Sequence, residues 1–240
     1  MSTNRILVLP VLAVGALALA LAGCAVPAPS GILVSEDRIV AADVHAVLLA
    51  TSGNLEVVIG DEPSLTVTAP QRLIDRLTSD SSDGVLTFGS IGGSVVNAFD
   101  SIQYTLTLPL VDALEIVGSG DAEVDFSGAE DVDIQVDGSG DLRAVGIDAG
   151  AVRVTISGSG DARISGAADE GEFTVIGSGD LDASELRVDA GAAEVSGSGN
   201  LSVHAVDRLD ATVSGSGEIR YAGTPRLASD ISGSGDISGR

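Results

Sequence analysis

The stretch Gly118-Ser119-Gly120-Asp121-Ala122-Glu123-Val124-Asp125-Phe126-Ser127-Gly128-Ala129-Glu130-Asp131-Val132-Asp133-Ile134-Gln135-Val136-Asp137 is one unit of a repeat, and the next copy begins at Gly138. Ala122, Val124 and Phe126 alternate with Asp121, Glu123 and Asp125, and Val132, Ile134 and Val136 alternate with Asp133, Gln135 and Asp137. Apolar residues at period two mark strands with one buried face. The unit therefore reads as a Gly-Ser-Gly corner, a strand, a second turn at Ser127-Gly128-Ala129-Glu130, and a second strand. A unit this small cannot bury its apolar face alone, so successive units must stack into an all-β parallel β-solenoid, for which a right-handed winding is expected.

Working outward, Gly-Ser-Gly begins at Gly118, Gly138, Gly158, Gly177, Gly197, Gly215 and Gly233, at spacings of 20, 20, 19, 20, 18 and 18 residues. The residue that follows is Asp121, Asp141, Asp161, Asp180, Asn200, Glu218 or Asp236. If the chain stays extended through the corner, both glycines face inward, where the walls converge, and the Ser and Asp side chains form outward ladders at roughly 4.8 Å per coil. The rival is a tight turn with positive φ at Gly and the Asp bonded to its own backbone. Stacked carboxylates at Asp121, Asp141, Asp161, Asp180 and Asp236 could take up a hard cation such as calcium. The competing reading is a row of solvated corner residues.

The first half is less regular. Leu55 to Ile59, Ser64 to Thr68, Val85 to Phe88 and Ile102 to Leu108 read as strands, and Thr51-Ser52-Gly53-Asn54-Leu55 as a degenerate corner. Pro70 to Leu77 could make one or two helical turns with Pro70 at the tolerated first position, and Asp80 to Asp83 reads as loop. Carrying the repeat spacing over residues 35–240 gives roughly ten coils. Tyr104 and Tyr221 follow the inward parity, whereas His204 lies opposite to it and should be exposed. The last residues, from Ser232 to Arg240, end midway through a coil. Ser232, Ser234, Asp236 and Ile237 are therefore the candidate interaction edge, open to strand addition or end-to-end pairing. The heavy negative charge of the chain is expected to discourage aggregation there.

At the other end, Ile6 to Ala22 is an uncharged run of 17 residues behind Arg5. It has the form of a secretory signal, and its end at Leu21-Ala22-Gly23-Cys24 resembles the lipobox of bacterial lipoproteins. That resemblance implies cleavage before Cys24 and acylation of its thiol, and Cys24 is the only Cys of the chain. Residues 1–23 are then a signal peptide, residues 24–34 a lipidated Cys and tether containing Pro27 and Pro29, and residues 35–240 the solenoid. The alternative is an uncleaved span extended to Val26, which Pro10 and the small-residue end disfavour. The expected location is the cell membrane, lipid-anchored and facing away from the cytoplasm.

Composition excludes more than it identifies. The 240 residues carry 35 acids against 12 bases, all of them Arg, for a net charge of −23. Such a chain repels nucleic acid. No Lys follows any Gly-Ser-Gly, as a phosphate loop would require. Only His45 and His204 are histidines, so no corner serine has an obvious base. Glu130-Asp131 and Asp169-Glu170 sit in predicted turns and read as solvated corners. Coils that never exceed 20 residues leave no room for the loops that would build an enzyme cleft.

The iterated Gly-Ser-Gly-Asp corners, with Tyr221-Ala222-Gly223-Thr224-Pro225 between the last two, resemble the putative auto-transporter adhesin head GIN domain family, and Leu55 to Leu77 fits that family's opening strands. The resemblance covers about residues 35–240. It implies a β-helical fold in a secreted or surface-anchored bacterial protein, and it carries over no catalytic residue. The expected function is a lipid-anchored, non-catalytic, adhesin-like binding or scaffolding module without a cofactor. Its expected partners are the membrane, through acylated Cys24, and an envelope protein, a glycan or a second copy at the C-terminal edge. A calcium-binding envelope protein and a polysaccharide-active enzyme are the alternatives.

Overall fold

The computed structural model describes residues 31–92 and 101–240, so the signal segment and Cys24 lie outside the described residues. The first half holds β1 (Leu33–Arg38), β2 (Ala46–Leu49), β3 (Asn54–Ile59), β4 (Ser64–Pro70), β5 (Leu77–Ser82), β6 (Val85–Ser90) and β7 (Gln103–Leu108), with a short 3-10 helix at Ile74–Arg76. The repeat region holds β8 (Ala113–Gly118), β9 (Asp121–Asp125), β10 (Asp131–Gly138), β11 (Leu142–Gly158), β12 (Ala162–Gly177), β13 (Asp180–Gly197), β14 (Asn200–Gly215), β15 (Glu218–Ala222), β16 (Arg226–Gly233) and β17 (Asp236–Gly239).

From Gly118 onward the chain winds in order through about six turns of a parallel β-solenoid. The wall before the corner stacks β8, β10, the later halves of β11 to β14, and β16. The wall after it stacks β9, the earlier halves of β11 to β14, β15 and β17. Like residues fall above like. Leu49, Ile116, Val136, Ile156, Val175, Val195 and Val213 form one aliphatic column, buried throughout. Each such side chain removed from water contributes roughly 1.5–3 kcal/mol, which makes these columns the principal source of cohesion.

The second turn exists as expected in the first unit, at Ser127 and Gly128, and the strand breaks at the same place again between β15 and β16, at Gly223 to Pro225. In later coils β11 to β14 run unbroken for 16 to 18 residues and bend through irregularities in register, as between Ala144 and Ile147. A bulge turns the strand while most of its hydrogen bonds persist, so no separate turn is needed. Asp169 and Glu170 accordingly lie inside β12, not in a turn.

The first half departs from serial coiling, so the solenoid has fewer than the roughly ten coils expected. The coil made by β2 and β3 lies between β8–β9 on one side and β6–β7 on the other, although β6 and β7 come later in the chain than β3. Antiparallel strands then cover the outer edge of β6–β7, with β5 on β6, β4 on β7 and β1 on β4. These strands cap the stack at its N-terminal end, as a repeat array requires. Asp80 to Ser82, expected as loop, belong to β5, and Asp83-Gly84 at φ 52° and 81° form the two-residue turn of a β5–β6 hairpin. Pro70 closes β4 and does not start the helix. Arg38 fastens the cap, donating to the carbonyls of Leu77 at 2.8 Å and Ile74 at 2.9 Å.

Candidate functional site

The repeated corner places two kinds of glycine. The first of each motif has positive φ, from 113° at Gly118 to 142° at Gly138, and it is not an inward residue. The second is buried at Gly120, Gly140, Gly160, Gly179, Gly199 and Gly217, where a Cβ would meet the carbonyl of the coil below. Each sequence reading of the corner thus holds for one glycine. The Gly138 carbonyl accepts from the Ser159 N–H at 2.8 Å and the Gly160 N–H at 3.1 Å, and the same paired bonds recur at Gly158, Gly177, Gly197 and Gly215. The corner serines Ser119, Ser139, Ser159, Ser178, Ser198, Ser216 and Ser234 are exposed.

The ladder carboxylates bond between coils. Oδ1 of Asp121 accepts the Asp141 N–H at 2.9 Å, Oδ1 of Asp141 the Asp161 N–H at 3.2 Å, and Oδ1 of Asp161 the Asp180 N–H at 2.9 Å. Asp180 accepts both the backbone N–H and the side-chain amide of Asn200 at 2.9 Å. The carboxylate therefore bonds the backbone of the next coil, where the tight-turn reading expected its own. Among the described residues no three His, Cys, Asp or Glu side chains gather closely enough to hold a metal ion. Asp161→Ala is expected to cost about 0.5–1 kcal/mol, one lost hydrogen bond. Asp161→Asn, which keeps the acceptor and removes a like charge, should cost less than half of that. Urea denaturation of the two variants measures the difference.

Sequence reading missed the mixed-charge column beside this ladder. Glu123, Arg143, Arg163, Asp182, Ser202 and Arg220 stand in register two residues past the corner acid. Arg143 pairs with Glu123 at 3.3 Å, Arg163 with Asp182 at 3.3 Å, and Arg220 with Glu218. The face is a mixed-charge stripe, and an Arg at the same offset from Asp141 and Asp161 was the available signal. Burial pushes the Asp182 carboxyl up, but hydrogen bonds from the Ser184 hydroxyl and N–H, with Arg163 alongside, hold it below the usual carboxylate range. On the other wall, a shallow groove of about 710 Å³ is edged by Asp112, Glu130, Asp131 and Glu170, with Arg153 bound to Glu172 at 2.8 Å.

At the C-terminal end, Ser232 lies on β16, Ser234 in the last corner, and Asp236 and Ile237 on β17. Ser232, Ser234 and Asp236 are exposed, whereas Ile237 packs against the edge of the core. His204, expected at the surface, is half-buried. Tyr104 is fully buried, and burial raises its phenol although the Thr51 hydroxyl and Arg38 oppose that shift. Tyr221 is only partly buried. Among the described residues no helix is long and apolar enough to cross a membrane.

The family model described as putative auto-transporter adhesin, head GIN domain, matches residues 45–225. Solved structures share the fold. A putative adhesin from Bacteroides fragilis superposes with a TM-score of 0.83 at 24% identity, covering 89% of this chain and 100% of that one. A putative lipid binding protein from Parabacteroides distasonis gives a TM-score of 0.70 at 23% identity, over 89% of this chain and 99% of its own. A putative adhesin from the same organism gives 0.67 at 25% identity, over 88% of this chain and 98% of its own. None of the curated proteins matches the chain.

Proposed function

The chain belongs to the putative auto-transporter adhesin, head GIN domain family, and from that premise we propose that it is a non-catalytic surface module, lipid-anchored through Cys24, that binds or spaces by presenting a stiff solenoid. The observation that carries this reading is the polarity of the stack. β1, which follows the tether, lies in the antiparallel cap at one end, and β16 and β17 form the other end. A chain anchored near residue 24 would hold its last coil away from the membrane, on the order of 40 Å out at roughly 4.8 Å per coil. The inter-coil bonds at each corner make that rod stiff, and the Ser, Asp and Arg columns run along its sides.

Anchoring supplies the test. Cells expressing the full chain are grown with a radiolabelled or clickable palmitate, and Cys24→Ser is compared with the parent. The parent should carry the label and sediment with membranes. The variant should lose the label, because it has no thiol to acylate, while keeping the uncleaved apolar run Ile6 to Ala22. A parent without label, or a variant labelled as strongly as the parent, would overturn the anchor.

A further inference from the structure

The stack is capped by antiparallel strands at one end, and among the described residues β16 and β17 form an uncapped edge at the other. At the C-terminal end Ile231 continues the aliphatic column of Val213, and Leu227 continues that of Leu209. Val213 and Leu209 are 0% exposed, while Ile231 and Leu227 are 44% and 40% exposed, with no further coil over them among the described residues. Among the described residues β16 pairs only with β14, and β17 only with β15. Their outer edges therefore carry unpaired backbone donors and acceptors, the usual template for a further strand.

Charge identifies what fits there. The chain as a whole carries −23, and the unit from Asp121 to Asp141 contains acids without a single base. The last coil is different, with Arg226 and Arg240 balanced by Asp230 and Asp236. A second copy meets like charge on the base-free acidic units, but at this edge it does not, and the expected protection by net charge is weaker here.

We propose that the last coil is a homophilic contact, in which β16 of one copy pairs antiparallel with β16 of a second copy about a two-fold axis at Ser229. In that register Leu227 stands opposite the second copy's Ile231, and Ile231 opposite its Leu227, so both aliphatic columns continue across the junction. Arg226 and the second copy's Asp230 become diagonal neighbours on the outer face, at a separation long side chains span. The pairing is isologous, so each of these contacts occurs twice. The caps, and with them the tethers, lie at the two far ends, on the order of 80 Å apart at roughly 4.8 Å per coil. Such a pair would bridge two facing surfaces, a consequence that rests on the anchored, adhesin-like reading; the dimer itself does not.

The test uses the full chain as isolated from cells, acylated or not, kept in solution with detergent. Sedimentation or light scattering should show a dimer that dissociates on dilution. Arg226→Asp and Asp230→Arg each bring like charges together and should weaken it at least tenfold, whereas the double swap should return it to within about threefold of the parent. These side chains are exposed at an open edge, so thermal melts should be unchanged and folding defects are separated from association. Ser229→Cys should form an inter-chain disulfide, with Cα atoms across an antiparallel pair within bonding range. Ser159→Cys, a corner residue far from the junction, should not exceed the parent's background. A chain that remains monomeric to about 100 µM would overturn the proposal. So would a dimer indifferent to the swaps, equal cross-linking at both cysteines, or an edge that binds only a different protein's strand. Palmitate labelling of Cys24 reads the anchor separately, so either idea can fail alone.

Discussion

Gly160→Ala is expected to unfold the middle of the solenoid or to lower its stability by roughly 3–5 kcal/mol, at the upper end of single substitutions. The added Cβ would lie 2.2 Å from the Gly140 carbonyl oxygen and 3.2 Å from Val136 Cγ1. Neither coil can step back, because the Ser159 and Gly160 N–H groups are bonded to the Gly138 carbonyl. Two further glycines separate the causes. Gly118 has nothing within 4 Å of its Cβ position but a φ of +113°, so Gly118→Ala should show backbone strain alone, about 1–3 kcal/mol. A Cβ at Gly150 would make only ordinary contacts, the nearest at 3.4 Å from Asp131 Oδ1, and Gly150→Ala should stay within about 0.5 kcal/mol. Urea unfolding followed by far-UV circular dichroism ranks the three. Equal losses at Gly160 and Gly150 would show that the corner tolerates a side chain.

Phe173→Ala should cost roughly 3–5 kcal/mol. Phe173 is fully buried and stands in register between Val154 and Ala193. Its ring fills the room left by Gly171, where a Cβ would sit 2.6 Å from the ring's Cζ. Small neighbours have been fitted around one large side chain, and truncation leaves a cavity walled partly by hydrogen-bonded backbone, which collapses poorly. Ile231→Ala, at an end where the side chain of the single chain is 44% exposed, should cost less than about 1 kcal/mol when measured at a dilution that keeps the chain monomeric. The same urea measurement compares them, and a loss at Phe173 no larger than at Ile231 would mean that the interior repacks freely.

The pattern Val132, Ile134, Val136 and its successors determined the strands, and the recurrence of Gly-Ser-Gly determined that they stack. Both follow from local physics: period two sorts side chains to two faces, and a short unit with one apolar face must find a copy of itself. Hence the solenoid, the family resemblance and the inward place of Gly160 were legible in one dimension. Three things were not. β2 and β3 insert between two coils that both come later in the chain, because the antiparallel cap of β1, β4 and β5 settles which edge the β6–β7 coil may occupy. The polar run Asp80 to Ser82 becomes a strand because β6 offers it backbone partners, which composition does not reveal. Asp121, Asp141 and Asp161 look like a charged ladder in the sequence, but their Oδ1 atoms accept N–H groups 19 or 20 residues away, and Arg143 and Arg163 lie beside them. Periodicity fixes what each residue faces, whereas hydrogen-bond partners far along the chain, the capping of edges and the fate of a column's last member depend on which coil lies next to which, and only the folded stack decides that.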